Sequence, residues 1–214
     1  MIEVLLLGSI GVLAETSEIQ RNAYNQAFED HGLDWYWNVA NYCALLKRPG
    51  GKRRLVDFAN GKISAEMIDS IHDQKERLFS ESLKSGLKPR AGVTECINAC
   101  KDKGIKIGLI TTTSQHNIDT LSEALRRDID FSQFDLITTK KDVDQEKPSG
   151  DIYQFALSQF SVAPDLAIAV EDTEVNQQAA LEHQILCYLF AGEYATTEHH
   201  FNAVKSLTAI SNRL

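Results

Sequence analysis

Five short runs of apolar residues recur along the chain, at positions 4–7, 105–110, 134–137, 166–170 and 185–190. Each has the length of a strand and is apolar at nearly every position, not at every second one. A strand covered on one face alternates, whereas a strand covered on both does not. The runs therefore predict strands in a middle layer between helices. The segments between the last four runs carry the other period. Residues 115–127 place Ile118, Leu121 and Leu125 on one helical face, 151–160 place Ile152, Phe155 and Ala156, and 173–182 place Val175, Ala179 and Ala180. Strand and helix alternating at this spacing predict βαβ units and a doubly wound parallel α/β sheet.

The first run breaks the rhythm. About eighty residues follow it with no strand pattern, and this stretch reads as helical at 20–31 (Ala23, Ala27 and Phe28 on one face), 39–47 and 64–83. Gly32, Pro49-Gly50-Gly51, Gly61 and Gly86 punctuate it. The expected organisation is an α/β core of residues 1–13 and 88–214 with an inserted helical domain of residues 14–87.

Composition narrows the function. A net charge of -8 over 214 residues argues against a nucleic-acid footprint or an anionic membrane surface as partner. The apolar start is too short for a leader or a span, so a cytoplasmic protein is expected. Of the four cysteines, Cys96 and Cys100 lie one helical turn apart, but no second pair accompanies them; buried thiols are expected.

Candidate chemistry sits at the predicted strand ends, where doubly wound sheets bind ligands. Thr111-Thr112-Thr113-Ser114 stands between a strand and a helix, where hydroxyls and free amides hold oxyanions. Lys147 precedes Pro148 and a helix, placed to neutralise a phosphate. Glu171-Asp172 follows a buried strand, and two acids there suit a divalent cation. A helix cap, an exposed lysine and an N-capping Asp172 with Thr173 are the plain structural alternatives for the three. Their order on successive strand ends makes the set more specific than its members.

In that order they resemble the haloacid dehalogenase superfamily of phosphohydrolases, whose pattern adds a first-strand Asp-x-Asp-Gly loop and a helical cap inserted after that strand. A narrower likeness to CbbY-type sugar-bisphosphate phosphatases rests on His31 to Trp37, Tyr42, Gly50-Gly51-Lys52-Arg53-Arg54, and Thr111 to Ser114 with Asn117. The resemblance implies a small phosphorylated metabolite as ligand. It gives Thr111, Thr112 and Lys147 its phosphate, and Lys52 and Arg54 with Gly51, on a cap loop, the far end of a sugar phosphate. It gives Glu171 and Asp172 Mg²⁺.

The first loop departs from this pattern. Aligned on Gly11-Val12-Leu13, the nucleophilic aspartate falls on Gly8 and the acid/base aspartate on Ile10. Glycine has no atom to attack phosphorus and isoleucine cannot exchange a proton. The expected cation loses a ligand, so Mg²⁺ binding is expected to be weakened. Asn176, His183-Gln184 and Gly150 also depart from the common pattern. The expectation is a phosphatase-like chain without aspartyl-phosphate chemistry that still binds a phosphate or sugar phosphate. Hydrolysis by another route, through Ser9 or through a water held by Glu171 or Asp172, stays open. So does an interaction protein with no small ligand. A dinucleotide loop at Gly8 to Gly11 lacks the glycine fingerprint.

Overall fold

The computed structural model describes residues 1–8, 10–47 and 50–214. In chain order its elements are β1 (Val4–Gly8), α1 (Ile10–Leu13), α2 (Ser17–Asp30), α3 (Val39–Leu46), α4 (Gly51–Ala59), α5 (Ala65–Leu83), α6 (Val93–Asp102) and β2 (Lys106–Ile110). There follow α7 (Gln115–Leu125), β3 (Leu136–Ile137), α8 (Asp151–Phe160), β4 (Ala167–Glu171), α9 (Glu174–Glu182), β5 (Leu186–Leu189) and α10 (Thr208–Ser211). The chain divides into an α/β unit of Met1–Glu15, Gly86–Gly192 and Thr197–Leu214, and a helical unit of Thr16–Ser85 with Glu193–Thr196.

In the α/β unit five parallel strands lie in the order β3-β2-β1-β4-β5. Successive strand side chains point to opposite faces, and each face has its own apolar cluster. Leu5, Leu7, Ile107, Leu109, Ile168 and Val170 join one with the buried face of α6. Val4, Leu6, Ala167, Ala169 and Cys187 join the other with Ile152, Tyr153 and Ala156 of α8. This two-sided burial is why the strands read as unbroken apolar runs. The register sets the ends of the central strands level, with Gly8 opposite Ile110 and Leu7 opposite Val170.

Several sequence expectations shift. The 134–137 run yields only the two-residue β3, because Phe134 ends a single 3-10 turn over Phe131–Gln133 and is buried there. Helix α6 carries Cys96 and Cys100 on its buried face and had no prediction. Val175 is exposed; Gln177 takes the inward place on α9 and donates to the carbonyls of Cys187 (3.2 Å) and Phe201 (2.9 Å). Ala14 is buried in the cluster of Leu7 and Leu13, and Leu87 packs against it, so both belong to the α/β unit. Tyr194 packs on Tyr42 and donates to Glu18, which brings Glu193–Thr196 into the helical unit.

The helical unit is built around an aromatic core. Tyr24 and Trp37 ring centres lie 4.6 Å apart, Phe28 and Trp37 5.0 Å, and Trp37 and Tyr42 5.8 Å. Asn38 and Ser64 cap α3 and α5 by accepting from the amides of Asn41 and Met67. The basic run after Gly50 is not a loop: Gly50, at φ +93°, turns the chain into the first turn of α4. Pro49 lies outside the described residues. Among the described residues no helix is long and apolar enough to cross a membrane.

Leu7, fully buried on the central strand, tests the two-sided core. Leu7→Ala is expected to lower stability by about 2–5 kcal/mol in urea unfolding of the intact chain; a loss below about 1 kcal/mol would contradict the burial assigned here.

Candidate functional site at the strand ends

The site forms where β1, β2 and β4 stop side by side. β1 ends on Gly8, β2 on Ile110 and β4 on Glu171. Glu171 is 1% exposed, and a carboxylate so deep needs partners. It has two on one oxygen: Oε1 accepts from Lys147 Nζ at 2.5 Å and from the Tyr153 hydroxyl at 2.6 Å. Lys147 also donates from Nζ to the Ile110 carbonyl (2.7 Å), and its amide donates to Thr112 Oγ1 (3.2 Å). The ammonium thus joins the ends of β2 and β4.

Glu171 also explains why position 8 is bare. A Cβ built on Gly8 would lie 2.5 Å from Glu171 Oε2 and 2.8 Å from its Cδ. The carboxylate fills the space that any side chain at position 8 would enter. Its Oε2 is buried with no hydrogen-bond partner. The other vacated position is lost to the core: Ile10 opens the short helix α1 and its side chain packs against the apolar cluster of Leu7 and Val12. Ser9, the alternative nucleophile, lies outside the described residues.

Thr111 is 2% exposed. Its amide donates to Thr138 Oγ1 (2.8 Å), and its own Oγ1 accepts from the Thr113 amide (3.1 Å). The hydroxyl hydrogen of Thr111 therefore has no acceptor among the described residues. Ser114 is the N-cap of α7 and accepts from the Asn117 amide, so capping and the threonine hydroxyls are divided between different residues. Thr173 stands at the N-cap of α9, yet its hydroxyl is buried and unpaired, which removes the capping account of that position.

Asp172 packs against Gly11, where a Cβ would overlap its Oδ2. Burial, and then the charge of Glu171, push its carboxyl up to about 6. Arg90, which the sequence gave no reason to single out, donates to the carbonyls of Gly11, Phe190 (2.8 Å) and Ala191 (2.5 Å) and lies 3.6 Å over the Phe190 ring. It pins the start of α1 to the end of β5. Burial pulls its pKa below the usual guanidinium value, and the charges of Glu15 and Asp172 oppose that.

The donor set offers the expected Mg²⁺ few oxygens. A divalent cation of this kind takes about six in near-octahedral array, one or two of them from carboxylates and the rest from water and substrate phosphate. Here Glu171 Oε1 is held by an ammonium and a hydroxyl, so Glu171 Oε2 and the Asp172 carboxylate are the oxygens that would hold such an ion.

Two departures in sequence prove to be one packing event. A side chain at Gly150 would overlap the imidazole of His183, so the glycine before α8 and the histidine after α9 fit each other. Tyr153 and Thr138 were missed as well. The signal for Tyr153 was available: an aromatic with a polar tip on a buried helical face must find a partner for its hydroxyl.

The cationic run of the helical unit lies on α4. Gly51 opens the helix, and a Cβ there would meet the Tyr24 hydroxyl at 2.9 Å. That hydroxyl is buried. Lys52 is half-exposed and paired with Asp69. Arg54 is buried, donates to the Leu45 carbonyl (3.1 Å) and lies 5.6 Å over the Tyr42 ring. Close to Tyr24 lies a cation the sequence did not reveal. Lys75 is 3% exposed, 5.2 Å over the Tyr24 ring, and donates to Gln20 (2.9 Å) and Glu76 (2.8 Å).

Comparisons with known proteins follow the same lines. The model of the haloacid dehalogenase-like hydrolases matches residues 11–189. Protein CbbY of Cereibacter sphaeroides is 34% identical over 99% of this chain and 94% of its own length. The crystal structure of CbbY from Rhodobacter sphaeroides in complex with phosphate superposes with a TM-score of 0.87 at 32% identity, covering 98% of this chain and 96% of that one. A mutant of the same protein in complex with xylulose-(1,5)bisphosphate gives 0.85 at 33% identity, covering 96% and 95%.

Two outcomes follow from the geometry. Gly8→Ala and Glu171→Ala are expected to be coupled: the double variant loses less stability than the sum of the single losses, because removing Glu171 makes room for the new Cβ. Additivity within about 0.3 kcal/mol would refute the contact. The raised carboxyl of Asp172 sets a sign with pH. Its protonated form is favoured in the folded chain, so its ionisation costs stability as pH rises from about 4 towards 6. Asp172→Asn should therefore unfold at higher urea than the native chain at neutral pH, with the gain vanishing below about pH 4; a gain unchanged across that range would refute the assignment.

Proposed function

This chain belongs to the haloacid dehalogenase-like hydrolase family, and within it we propose a member that binds a phosphate or sugar phosphate without the aspartyl-phosphate chemistry. The observation that carries the reading is the state of the first strand's end. The family pattern puts its nucleophile where Gly8 has no side chain and Glu171 fills the space, and its acid/base where Ile10, partly buried, packs against an apolar cluster. An aspartyl-phosphate needs a carboxylate free to attack phosphorus, and the leaving alcohol needs a proton donor. Neither position offers one.

What favours retained binding is the set around the gap. Lys147 Nζ uses two of its three hydrogens on Ile110 and Glu171, which leaves one for an oxyanion. The Thr111 hydroxyl and the amides at the start of α7 complete an anion-favouring set. The helical unit adds Gly51, Lys52 and Arg54 on one helical turn, with Arg54 held by Leu45 and Tyr42 and Lys52 exposed on its outer side. The CbbY structure that holds xylulose-(1,5)bisphosphate makes pentulose bisphosphates the first ligands to try.

The test pairs binding with turnover. Inorganic phosphate and a pentulose bisphosphate are expected to raise the melting temperature, since a ligand of the folded state stabilises it. Phosphate release is expected to stay at least about 10⁴-fold below that of a working relative assayed in parallel, as loss of a nucleophile alone costs on the order of 10⁶. Release at the relative's rate would overturn the proposal. Gly8→Asp/Ile10→Asp is expected to gain little, because Glu171 must leave its Lys147–Tyr153 clamp and a charge must enter the core. Full activity in that variant would show that Glu171 yields freely.

A further inference from the structure

The buried carboxylate at the gap leaves one oxygen unanswered. Glu171 Oε1 accepts from Lys147 and Tyr153, while Oε2, in a side chain 1% exposed, has no donor among the described residues. Oε2 is also the atom nearest to where a side chain at position 8 would begin. An unpaired buried acceptor is costly, and a charged one more so. A ligand placed against Lys147 and Thr111 therefore meets two donors and one acceptor with opposite demands. The donors want an anion, whereas Oε2 wants a hydrogen and repels a bare oxygen.

Resting on the phosphate-binding reading, we propose that Glu171 makes this site selective for oxyanions that carry a proton, taking hydrogen phosphate or hydrogen arsenate and rejecting sulfate. Near neutral pH inorganic phosphate keeps at least one hydrogen, so its P–OH can donate to Oε2 while its other oxygens accept from Lys147 Nζ and the Thr111 hydroxyl. Sulfate has the same size and shape but no hydrogen. It would set an oxygen lone pair against a carboxylate oxygen in a place from which water is excluded. A site built to hydrogen-bond one group discriminates strongly against the analogue that leaves it unpaired. Glycine at position 8 is part of the device, because any larger residue would displace the carboxylate that reads the proton.

The clamp also fixes what a substitution does. In Glu171→Gln, Lys147 and Tyr153 both donate to the inner atom, so that atom must be the amide oxygen. The NH₂ then takes the place of Oε2 and turns an acceptor into a donor. The protein stays isosteric while its preference should invert.

Isothermal titration of the intact chain near neutral pH, with inorganic phosphate, arsenate, sulfate and selenate and no divalent cation, tests this. The native chain should bind phosphate and arsenate at least about tenfold more tightly than sulfate and selenate. Glu171→Gln should lose or reverse that preference. Equal binding of phosphate and sulfate by the native chain would overturn the proposal, as would an unchanged preference in a folded Glu171→Gln. Should that variant fail to fold, the native chain decides alone: arsenate must follow phosphate and selenate must follow sulfate. Binding of none of the four would remove the underlying phosphate-binding reading together with the selectivity, whereas binding without selectivity would remove only the latter.

Discussion

The ammonium of Lys147 and the carboxylate of Glu171 lie where the sheet leaves almost no water, with side-chain exposures of 9% and 1%. Neither can stand alone there, because breaking a buried pair leaves a bare charge at a cost of about 3–5 kcal/mol. Their meeting therefore constrains much around them. It fixes the residue before α8 against the end of β2 through Ile110, calls for Tyr153 on the first turn of α8, and sets the last residue of β4. In this arrangement the carboxylate also occupies the space that a side chain at position 8 would enter.

The same constraint shapes the chemistry. A family site of this kind spends its anionic groups on a nucleophile and a cation. Here the carboxylate that reaches the gap is held from one side by an ammonium and a hydroxyl. The neighbouring Asp172 is pushed up to about 6 by burial and by Glu171. Arg90, donating to three carbonyls, keeps the frame of the site in place.

The helical unit solves a similar problem differently. Lys75 and Arg54 are buried among Tyr24, Phe79 and Tyr42, whose ring faces attract cations, and each also has a polar partner. Aromatic packing thus supplies the core of the unit and a setting that tolerates charge inside it. Gly51 marks where backbone and the buried Tyr24 hydroxyl approach most closely.

The amino-acid order by itself determined the parallel sheet, because strands covered on both faces must be apolar throughout and the helices between them must show the longer period. It also determined the gap at Gly8 and Ile10 and the order of Thr111, Lys147 and Glu171-Asp172, since those are statements of residue type at strand ends. Only the tertiary structure decided how the gap is filled. Tyr153, Thr138 and Arg90 act through contacts at sequence separations that no local pattern reports. Ile10 turns inward because α1 begins there, and the basic run after Gly50 becomes helix because that glycine adopts a positive φ. The glycine at 150 and the histidine at 183 read as separate departures until folding put one in the space of the other. Local periodicity carries the burial of each element. The pairing of one buried charge with another depends on which strand ends the fold sets side by side.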